Sequence, residues 1–418
     1  MSPYPNAPAD DAAAKSVMPE APEAPEAPEA KSPTLKINMG PQHPATHGVL
    51  RLELELDRET VLKCRPVIGY LHTGIEKSCE ARTYVQALTL TDRLDYLNPL
   101  GNNLAYSLAV ESLFQCEIPE RAQIARVLLA ELTRINSHLV CVGSGGMDLG
   151  VTSIFLYALR ERERILDLFE SLTGQRMMTS FIRPGGLATD LPDEWLAKAM
   201  AFLETMPGQI DEIESMATDS PFFKQRTQGI GIVSAEDLLA LGVTGPLLRA
   251  TGVDHDLRVT NPYSGYDRFA IRACTETTGD CYARYKVRVA EMRQSVELCK
   301  QAIEKLPKGP VRTSDRKIMP PPKEELAQSM ESLIHHFKLW TEGMKPPKGE
   351  AYVGVESPRG ELGFYIVSDG TGRPQRVRER APSFAAVQAM SKMMEGGSVA
   401  DAVAIIASCD PIMGEVDR

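Results

Sequence analysis

The chain has 418 residues, of which 43% are hydrophobic and 24% are charged, values typical of a globular protein with a sizeable core. No apolar run approaches the length of a bilayer span, so we expect no transmembrane helix. A formal net charge of -10 argues against nucleic-acid binding, because a phosphate-binding surface needs clustered Lys and Arg.

The first 33 residues are of low complexity, and Pro-Glu-Ala is repeated four times between residues 19 and 30. Prolines favour an extended chain and the glutamates repel one another, so we predict that residues 1–33 form a disordered tail. The segment contains no arginine and no apolar core, and it therefore indicates neither a mitochondrial transit peptide nor a secretory signal peptide.

The eight cysteines are scattered, and no two have C-x-x-C spacing. This is poor spacing for a metal site. In a chain of this size we expect reduced thiols in a reducing compartment, several of them as small core residues.

Residues 34–70 are predicted to form an N-terminal β region, because TLKINM and VLRLELELD alternate apolar and polar residues. Between the two strands, MGPQHPATHG (39–48) places His43 and His47 four residues apart in a segment with two prolines. Prolines disfavour helix, so the two imidazoles are expected on a constrained loop, the histidine loop. A simple turn with solvated histidines is the alternative interpretation.

Residues 71–345 are predicted to form a helical bundle, because apolar residues recur every three or four positions. This helical period is clearest in two stretches. One follows Pro119 and ends near Leu139, and the other runs from Val289 to Ile303. Further helical stretches are predicted near residues 74–90, 101–116, 152–174, 192–217 and 322–340.

Residues 346–418 return to strand patterns in AYVGVES and LGFYIVSDG and end in DAVAIIASCDPIMGEVDR, which we predict to be a buried end. The expected fold class is therefore α+β, mostly α, with a central helical bundle between N-terminal and C-terminal β-containing layers.

Common nucleotide and hydrolase motifs are missing. GSGGMDLG (143–150) lacks the Gly-Lys-Ser/Thr of a phosphate loop, and neither it nor RPGGLATD (183–190) fits G-x-G-x-x-G. No G-x-S-x-G elbow of a serine hydrolase occurs.

Seven segments between residue 34 and the end of the chain are distinctive as a set: GPQHPATHGVLRLELEL, GYLHTGIEK, TDRLDYL, SGGMDLG, FIRPGG, SPRGELGFYIVSDG and DPIMGEVDR. In combination they resemble the 49 kDa-type (D) subunit of respiratory complex I, the proton-pumping NADH:quinone oxidoreductase. That family is similar in turn to the large subunit of nickel-iron hydrogenases, which implies a hydrogenase-like fold for this chain.

The resemblance also implies that this chain holds no nickel. Hydrogenases bind the metal through four cysteines, and the matching positions here are Asp95, Asn98, Ile412 and Glu415. These residues cannot replace soft thiolates, so we expect no metal and no flavin in this chain.

The resemblance assigns a quinone headgroup to the cavity instead. A quinone has two opposed carbonyl oxygens and takes up two protons on reduction, so its site needs two proton donors. His47 and Tyr96 match the family's two headgroup contacts, and Asp148 matches the acid partner of the histidine. Asp148 is expected to favour the protonated imidazole. His43 is expected to shape the loop or line the cavity.

Structural interpretations stand beside these roles. Without the resemblance, Tyr96 is more simply a core aromatic at a helix end. Asp148 has an alternative as a cap for a helix beginning near Thr152. His72 and His138 have no assigned chemistry, and we expect structural hydrogen bonds from both.

Two positions depart from common family patterns. Thr73 stands where many relatives have arginine, and Met178 stands where many have histidine. A positive charge near the neighbouring iron-sulfur cluster is therefore missing or supplied elsewhere, and a group that titrates is lost.

The resemblance implies several partners. Electrons would come from a 4Fe-4S cluster in a small iron-sulfur subunit, and other peripheral-arm subunits and the quinone-channel membrane subunit would contact this chain. NADH would bind elsewhere. The location implied is peripheral, at the cytoplasmic face of the bacterial inner membrane. The alternative is a metal-free scaffold subunit of a hydrogenase-like membrane complex with a different electron donor.

Overall fold

The structure is a computed structural model that describes residues 34–43 and 47–418. The tail predicted over residues 1–33 lies outside the described residues, as do residues 44–46 of the histidine loop.

In this part of the chain, eight strands form three antiparallel sheets. The strands are β1 (Leu35–Met39), β2 (Arg51–Asp57), β3 (Thr60–Val67), β4 (Ile182–Arg183), β5 (Gly186–Leu187), β6 (Gly349–Ser357), β7 (Gly360–Ser368) and β8 (Arg376–Arg380). The first sheet has the order β1-β2-β3, the second pairs β4 with β5, and the third has the order β6-β7-β8.

Sixteen α-helices make up the larger share of the described residues. They are α1 (Ile75–Glu80), α2 (Tyr84–Thr91), α3 (Pro99–Phe114), α4 (Glu120–Asp148), α5 (Thr152–Thr173), α6 (Asp193–Ala217), α7 (Pro221–Gln225), α8 (Ala235–Ala240), α9 (Pro246–Arg249), α10 (Leu257–Thr260), α11 (Cys281–Glu304), α12 (Lys323–Leu326), α13 (Met330–Thr341), α14 (Pro382–Met394), α15 (Val399–Cys409) and α16 (Met413–Asp417). A short 3-10 turn covers Tyr266–Arg268. The α+β fold class is confirmed.

The N-terminal sheet contains both strands predicted from their alternation, β1 and β2. Inward-facing Leu52, Leu54 and Leu56 of β2 are buried, as the period of two requires. The third strand, β3, was not predicted, because charged residues and Pro66 interrupt its apolar pattern. It pairs with β2 and packs against α14.

Helix α4 is the centre of the bundle and packs against α5 and α11. It begins after Pro119 as predicted but extends for 29 residues to Asp148, through the first six residues of GSGGMDLG (143–150). Close packing explains this length, because an added Cβ at Gly143 would lie 2.9 Å from the Cβ of Ala158, and one at Gly146 would lie 3.1 Å from that of Ile154. These glycines let α4 approach α5 closely.

Two of the predicted helical stretches are divided in the structure. The stretch near 74–90 forms α1 and α2, because Thr83 caps α2 and exchanges hydrogen bonds with Gln86. The stretch near 322–340 forms α12 and α13, because Ser329 caps α13.

The C-terminal sheet has buried β7 at its centre. Gly363 lies inside β7, where an added Cβ would meet the Tyr352 ring. Helices α15 and α16 confirm the predicted buried end, since Glu415 and Val416 are 0% and 2% exposed. Within the described part of the chain, no helix is both long and apolar enough to cross a membrane.

Candidate functional site

The histidine loop joins β1 to β2 at the end of the N-terminal sheet where Met39 pairs with Leu52. His47 has a φ of 49° and Gly48 a φ of 109°, so both adopt the left-handed conformation that L residues rarely occupy. Leu50, fully buried, anchors the loop to the core. This backbone turns His47 inward, and only 12% of its side chain is exposed.

Asp148 is the last residue of α4. Its alternative as a cap of the next helix is wrong, because the N-cap residue of α5 is Val151 and no side chain of the described residues caps that helix. The Oδ2 atom of Asp148 is 4.0 Å from Nε2 of His47, and 8% of the Asp148 side chain is exposed. That separation is too long for a hydrogen bond. Nε2 of His47 makes none with any residue that the structure describes. The fold thus brings two predicted site residues close together, but no hydrogen bond forms between them.

Burial controls the protonation of this pair. It lowers the pKa of His47, with the Asp410 carboxylate opposing the shift. Burial also raises the pKa of Asp148 to about 6, and the nearby His43 opposes that shift. Desolvation thus disfavours the charged form of each residue, against the expected stabilisation of the protonated imidazole by an ionised Asp148. That stabilisation stays a prediction.

Tyr96 lies in the turn between α2 and α3. Asn102 holds this turn by donating from Nδ2 to the carbonyl oxygens of Thr91 and Asp95, at 2.9 and 3.0 Å. The C-terminal segment packs on it, since an added Cβ at Gly414 would lie 3.4 Å from Cδ1 of Tyr96. The ring is half-buried, and burial raises the pKa of its phenol. Tyr96 therefore stays protonated and able to donate.

Sequence reasoning missed the role of a buried arginine. Arg359, in the hairpin turn between β6 and β7, donates from Nη1 to Oδ2 of Asp95 at 2.7 Å and to Oγ of Ser137 at 3.0 Å. Its Nη2 lies 2.8 Å from Oδ2 of Asp410. We call Arg359, Asp95 and Asp410 the arginine cluster. The charges of Arg359 and Asp410 influence the pKa values of both His47 and Tyr96, so the cluster lies close to both.

The arginine cluster includes one of the positions that match the hydrogenase cysteines. All four of these positions are buried, with exposures of 0, 2, 3 and 0% for Asp95, Asn98, Ile412 and Glu415. In the described residues, no group of three or more His, Cys, Asp or Glu side chains is arranged to hold a metal ion. In the sequence, Arg359 stands in the motif SPRG and Asp410 in the motif DPIMGE, but neither motif shows that the charged side chain is buried.

Two other histidines have the structural hydrogen bonds expected of them. Nε2 of His138 lies 2.9 Å from Oε2 of Glu291, with both side chains fully buried. Nδ1 of His72 donates to the carbonyl oxygen of Asp417 at 2.7 Å. These predictions are confirmed.

A narrow cavity of about 40 Å³ lies beside α4, lined among others by Cys141, Arg288 and Ser408. It has room for water molecules but not for a quinone ring. The chain therefore does not enclose a quinone site at this point.

All eight cysteines are free thiols, and six of them are buried. The prediction of reduced thiols, several of them in the core, is confirmed.

Residues 148–418 match the family described as respiratory-chain NADH dehydrogenase, 49 Kd subunit. The chain is 61% identical over 388 residues to a D-type subunit of the NADH-quinone oxidoreductase of Roseiflexus castenholzii, covering 92% of this chain and 93% of that protein. It is 58% identical over 391 residues to the corresponding protein of Chloroflexus aurantiacus, with 93% and 95% covered. The corresponding protein of Geotalea uraniireducens is 51% identical over 384 residues, with 92% and 98% covered.

Proposed function

Because the chain belongs to the family of the 49 kDa subunit of respiratory-chain NADH dehydrogenase, we propose that it is the quinone-site subunit of an NADH:quinone oxidoreductase, complex I. The predicted family is confirmed by these comparisons. The observation that carries the proposal is the pair of His47 and Asp148, whose side chains lie 4.0 Å apart. Arg359 and Asp410 of the arginine cluster affect the pKa values of both His47 and Tyr96.

The two proposed headgroup contacts suit quinone reduction. The reaction adds two electrons and two protons to the quinone, giving a quinol. Tyr96 is a protonated phenol at neutral pH and donates to a reduced, negative oxygen. Burial lowers the pKa of His47, which makes its imidazolium a stronger acid and so a better proton donor.

Asp148 has a distinct task in this proposal. A pKa of about 6 leaves its carboxyl group mostly ionised at neutral pH. A carboxylate 4.0 Å away stabilises a positive imidazole whenever His47 takes up a proton. His43 lies near enough to affect Asp148 and is proposed to line the same cavity.

The proposed electron source is a 4Fe-4S cluster in a small iron-sulfur subunit. An exposed apolar segment supports a partner at this end of the chain, because Ile68, Tyr70 and Leu71 are 38%, 48% and 39% exposed. The segment follows β3 at the end where Val67 pairs with Arg51, the end from which the histidine loop also emerges. We propose that partner subunits, including the membrane subunit of the quinone channel, complete the site here.

The remaining elements of the proposal are architectural. We propose a hydrogenase-like fold in which the β-containing regions 34–70 and 346–418 close a cavity against the helical region 71–345. The complex would hold this chain at the cytoplasmic face of the inner membrane, couple quinone reduction to proton translocation and bind NADH on another subunit.

Photolabelling of the purified complex with a quinone analogue tests the assignment. Labelled peptides should include the histidine loop or the turn that carries Tyr96, and excess unlabelled quinone should reduce the labelling. Labelling confined to other subunits, while quinone turnover continues, would favour a scaffold role for this chain.

A further inference from the structure

Asp92 is a buried carboxylic acid with no role in the site described above. It is the C-cap residue of α2 and is 0% exposed. Within the described residues it forms no salt bridge. The dipole of a helix disfavours a negative charge at its C-terminal end, and a carboxyl group is buried only where hydrogen bonds compensate for the lost water. The stability of α2 therefore does not explain why an acid stands here.

Both oxygens of the Asp92 carboxyl group accept short hydrogen bonds. Nδ2 of Asn103, in α3, donates to Oδ1 at 2.6 Å, and Oγ of Ser180, just before β4, donates to Oδ2 at 2.6 Å. Burial raises the pKa of Asp92 to about 6, with the contacts from Ser180 and Asn103 opposing that shift. The group is mostly ionised at neutral pH, so both hydrogen bonds are charge-assisted and strong.

Asp92 begins the turn between α2 and α3, and Tyr96 lies four residues further along that turn. The hydroxyl group of Tyr96 makes no hydrogen bond with a residue that the structure describes. The position of the phenol therefore depends on the backbone of the turn and on packing of the ring.

Two adjacent asparagines of α3 hold this backbone. Nδ2 of Asn102 donates to the carbonyl oxygens of Thr91 and Asp95, one before the turn and one directly before Tyr96. Nδ2 of Asn103 donates to Oγ1 of Thr91 at 3.2 Å as well as to Asp92. Both asparagines are 0% exposed. Because they project from a regular helix of 16 residues, α3 sets the positions of their amide groups.

Ser180 supplies the second fixed point. Nε of Arg183 donates to the carbonyl oxygen of Ser180 at 3.0 Å. The carbonyl oxygen of Arg183 in turn accepts from Nη2 of Arg126, a buried residue of α4, at 2.9 Å. Through Ser180, Asp92 thus connects the start of the turn to the central helix of the bundle.

We propose that Asp92 is a positioning residue that places the Tyr96 phenol for quinone reduction. The inference rests on the proposed function, in which Tyr96 donates to a reduced quinone oxygen. Asp92 itself does not contact the quinone. Held by Asn103 and Ser180, it fixes the start of the turn, while Asn102 fixes the backbone directly before Tyr96. A misplacement of about 1 Å can slow an oriented reaction by roughly 100-fold, so the constraint matters for the rate.

Two substitutions of Asp92 separate positioning from charge. Asparagine can keep both contacts, since its Oδ1 accepts from Asn103 and its Nδ2 donates to the hydroxyl oxygen of Ser180. Alanine loses both. In the assembled complex, with NADH and a short-chain quinone, Asp92→Ala should lower kcat at least about tenfold, whereas Asp92→Asn should retain most of it. If Asp92→Asn is as slow as Asp92→Ala, the positioning role is wrong.

Asp280→Ala is the matched control. Asp280 is also buried, at 5% exposure, and the described donors to its carboxyl group are uncharged, namely Oγ1 of Thr278 and the backbone N–H groups of Gly229 and Ala283. It caps α11 instead of holding the Tyr96 turn. Asp280→Ala should lower stability and leave kcat per assembled complex unchanged. A loss of kcat equal to that of Asp92→Ala would attribute the effect to general destabilisation and contradict the proposal.

Ser180→Ala tests the second fixed point without altering the turn. It removes one of the two hydrogen bonds and should lower kcat by about threefold. In the Asp92→Ala variant the same change should have no further effect, because the partner of Ser180 is already lost. If Asp92→Ala does not assemble, Ser180→Ala and Asp92→Asn decide the outcome. Wild-type kcat in Ser180→Ala would then overturn the proposal.

Infrared spectroscopy gives a readout that does not depend on turnover. With isotope-labelled tyrosine, the phenol band of Tyr96 is the band that disappears in Tyr96→Phe. It should shift in Asp92→Ala and stay in place in Asp92→Asn and Asp280→Ala. Slow turnover by Tyr96→Phe, together with normal turnover and an unshifted band in Asp92→Ala, would reject the positioning role and retain the quinone site. Normal turnover by Tyr96→Phe would reject the site itself.

Discussion

Nε2 of His47 and Oδ2 of Asp148 are 4.0 Å apart, a separation that permits attraction between charges but not a hydrogen bond. Both side chains are largely buried. Burial lowers the pKa of His47 and raises that of Asp148, so it favours the neutral form of each. The pair can therefore change its charge near neutral pH, which suits a group that exchanges protons with a substrate.

Substitution of Asp148 by Asn should remove one step from the pH dependence of quinone reduction. Burial raises the pKa of Asp148 to about 6, so its carboxylate forms as pH rises through that value and then stabilises the imidazolium of His47. The wild-type rate should rise with pH near 6. Asp148→Asn should be roughly 100-fold slower without that rise. A variant that retains the same rise near pH 6 would assign the titration to another group.

Substitution of Tyr96 by Phe should lower quinone reduction about 100-fold while the complex still assembles. The ring remains to pack on Gly414, so only the proton donor is lost. Tyr352→Phe is the matched control, because the hydroxyl of Tyr352 donates to Glu361 at an exposed position of β6. Rates are compared at equal content of assembled complex. Equal rates for the two variants would contradict the role of Tyr96.

Substitution of Gly414 by Ala should displace the Tyr96 ring, which packs against Gly414. An added Cβ would lie 2.4 Å from the carbonyl oxygen of Leu94, so this segment must move, at a cost of about 1–3 kcal/mol. Quinone reduction should fall by about tenfold or more through misplacement of the phenol. Gly208→Ala, where an added Cβ meets no atom within 4 Å, should leave the rate unchanged. Wild-type turnover and stability in Gly414→Ala would show that the segment yields freely.

Substitution of Arg359 by Met should destabilise the protein by about 3–5 kcal/mol, because it leaves Asp95 and Asp410 buried without their cation. The free energy of unfolding is measured by denaturant titration. Asp95→Asn should lower the free energy of unfolding much less in the Arg359→Met variant than in the wild type. The difference between the two losses should be about 1–3 kcal/mol. Strict additivity of the two substitutions would argue that the ion pair contributes nothing to stability.

Stability should fall in mild acid because of His138. Burial lowers its pKa to about 4 in the native chain, whereas its ordinary value is 6.5. Above pH 6.5 the residue is neutral in both states and its contribution is complete. As pH falls toward 4, only the unfolded state takes up the proton, so the free energy of unfolding should drop by about 2 kcal/mol between pH 7.5 and 5.

His138→Gln provides the comparison for this pH effect. Its amide can still donate to Glu291 but does not titrate. Denaturant titrations at the two pH values should show a smaller loss for the variant. An equal loss in both proteins would place the titrating group elsewhere.

Much of the secondary structure and the family follow from the sequence alone. The alternation in β1 and β2 and the helical period of α4 and α11 are local properties, because backbone geometry sets the periods of 2.0 and 3.6 residues. The seven motifs identify the family without any reference to three-dimensional contacts, and they single out His47, Tyr96 and Asp148 as the proposed site.

Only the tertiary structure decides how these residues are placed and charged. Helix α4 continues through Gly143 and Gly146 because α5 packs against them, a contact between helices that no local pattern contains. Arg359 binds Asp95, which lies 264 positions away in the sequence. Protonation depends on burial, and burial is created by segments far apart in the chain. The sequence therefore determines which groups are present, whereas packing and desolvation determine their distances and pKa values.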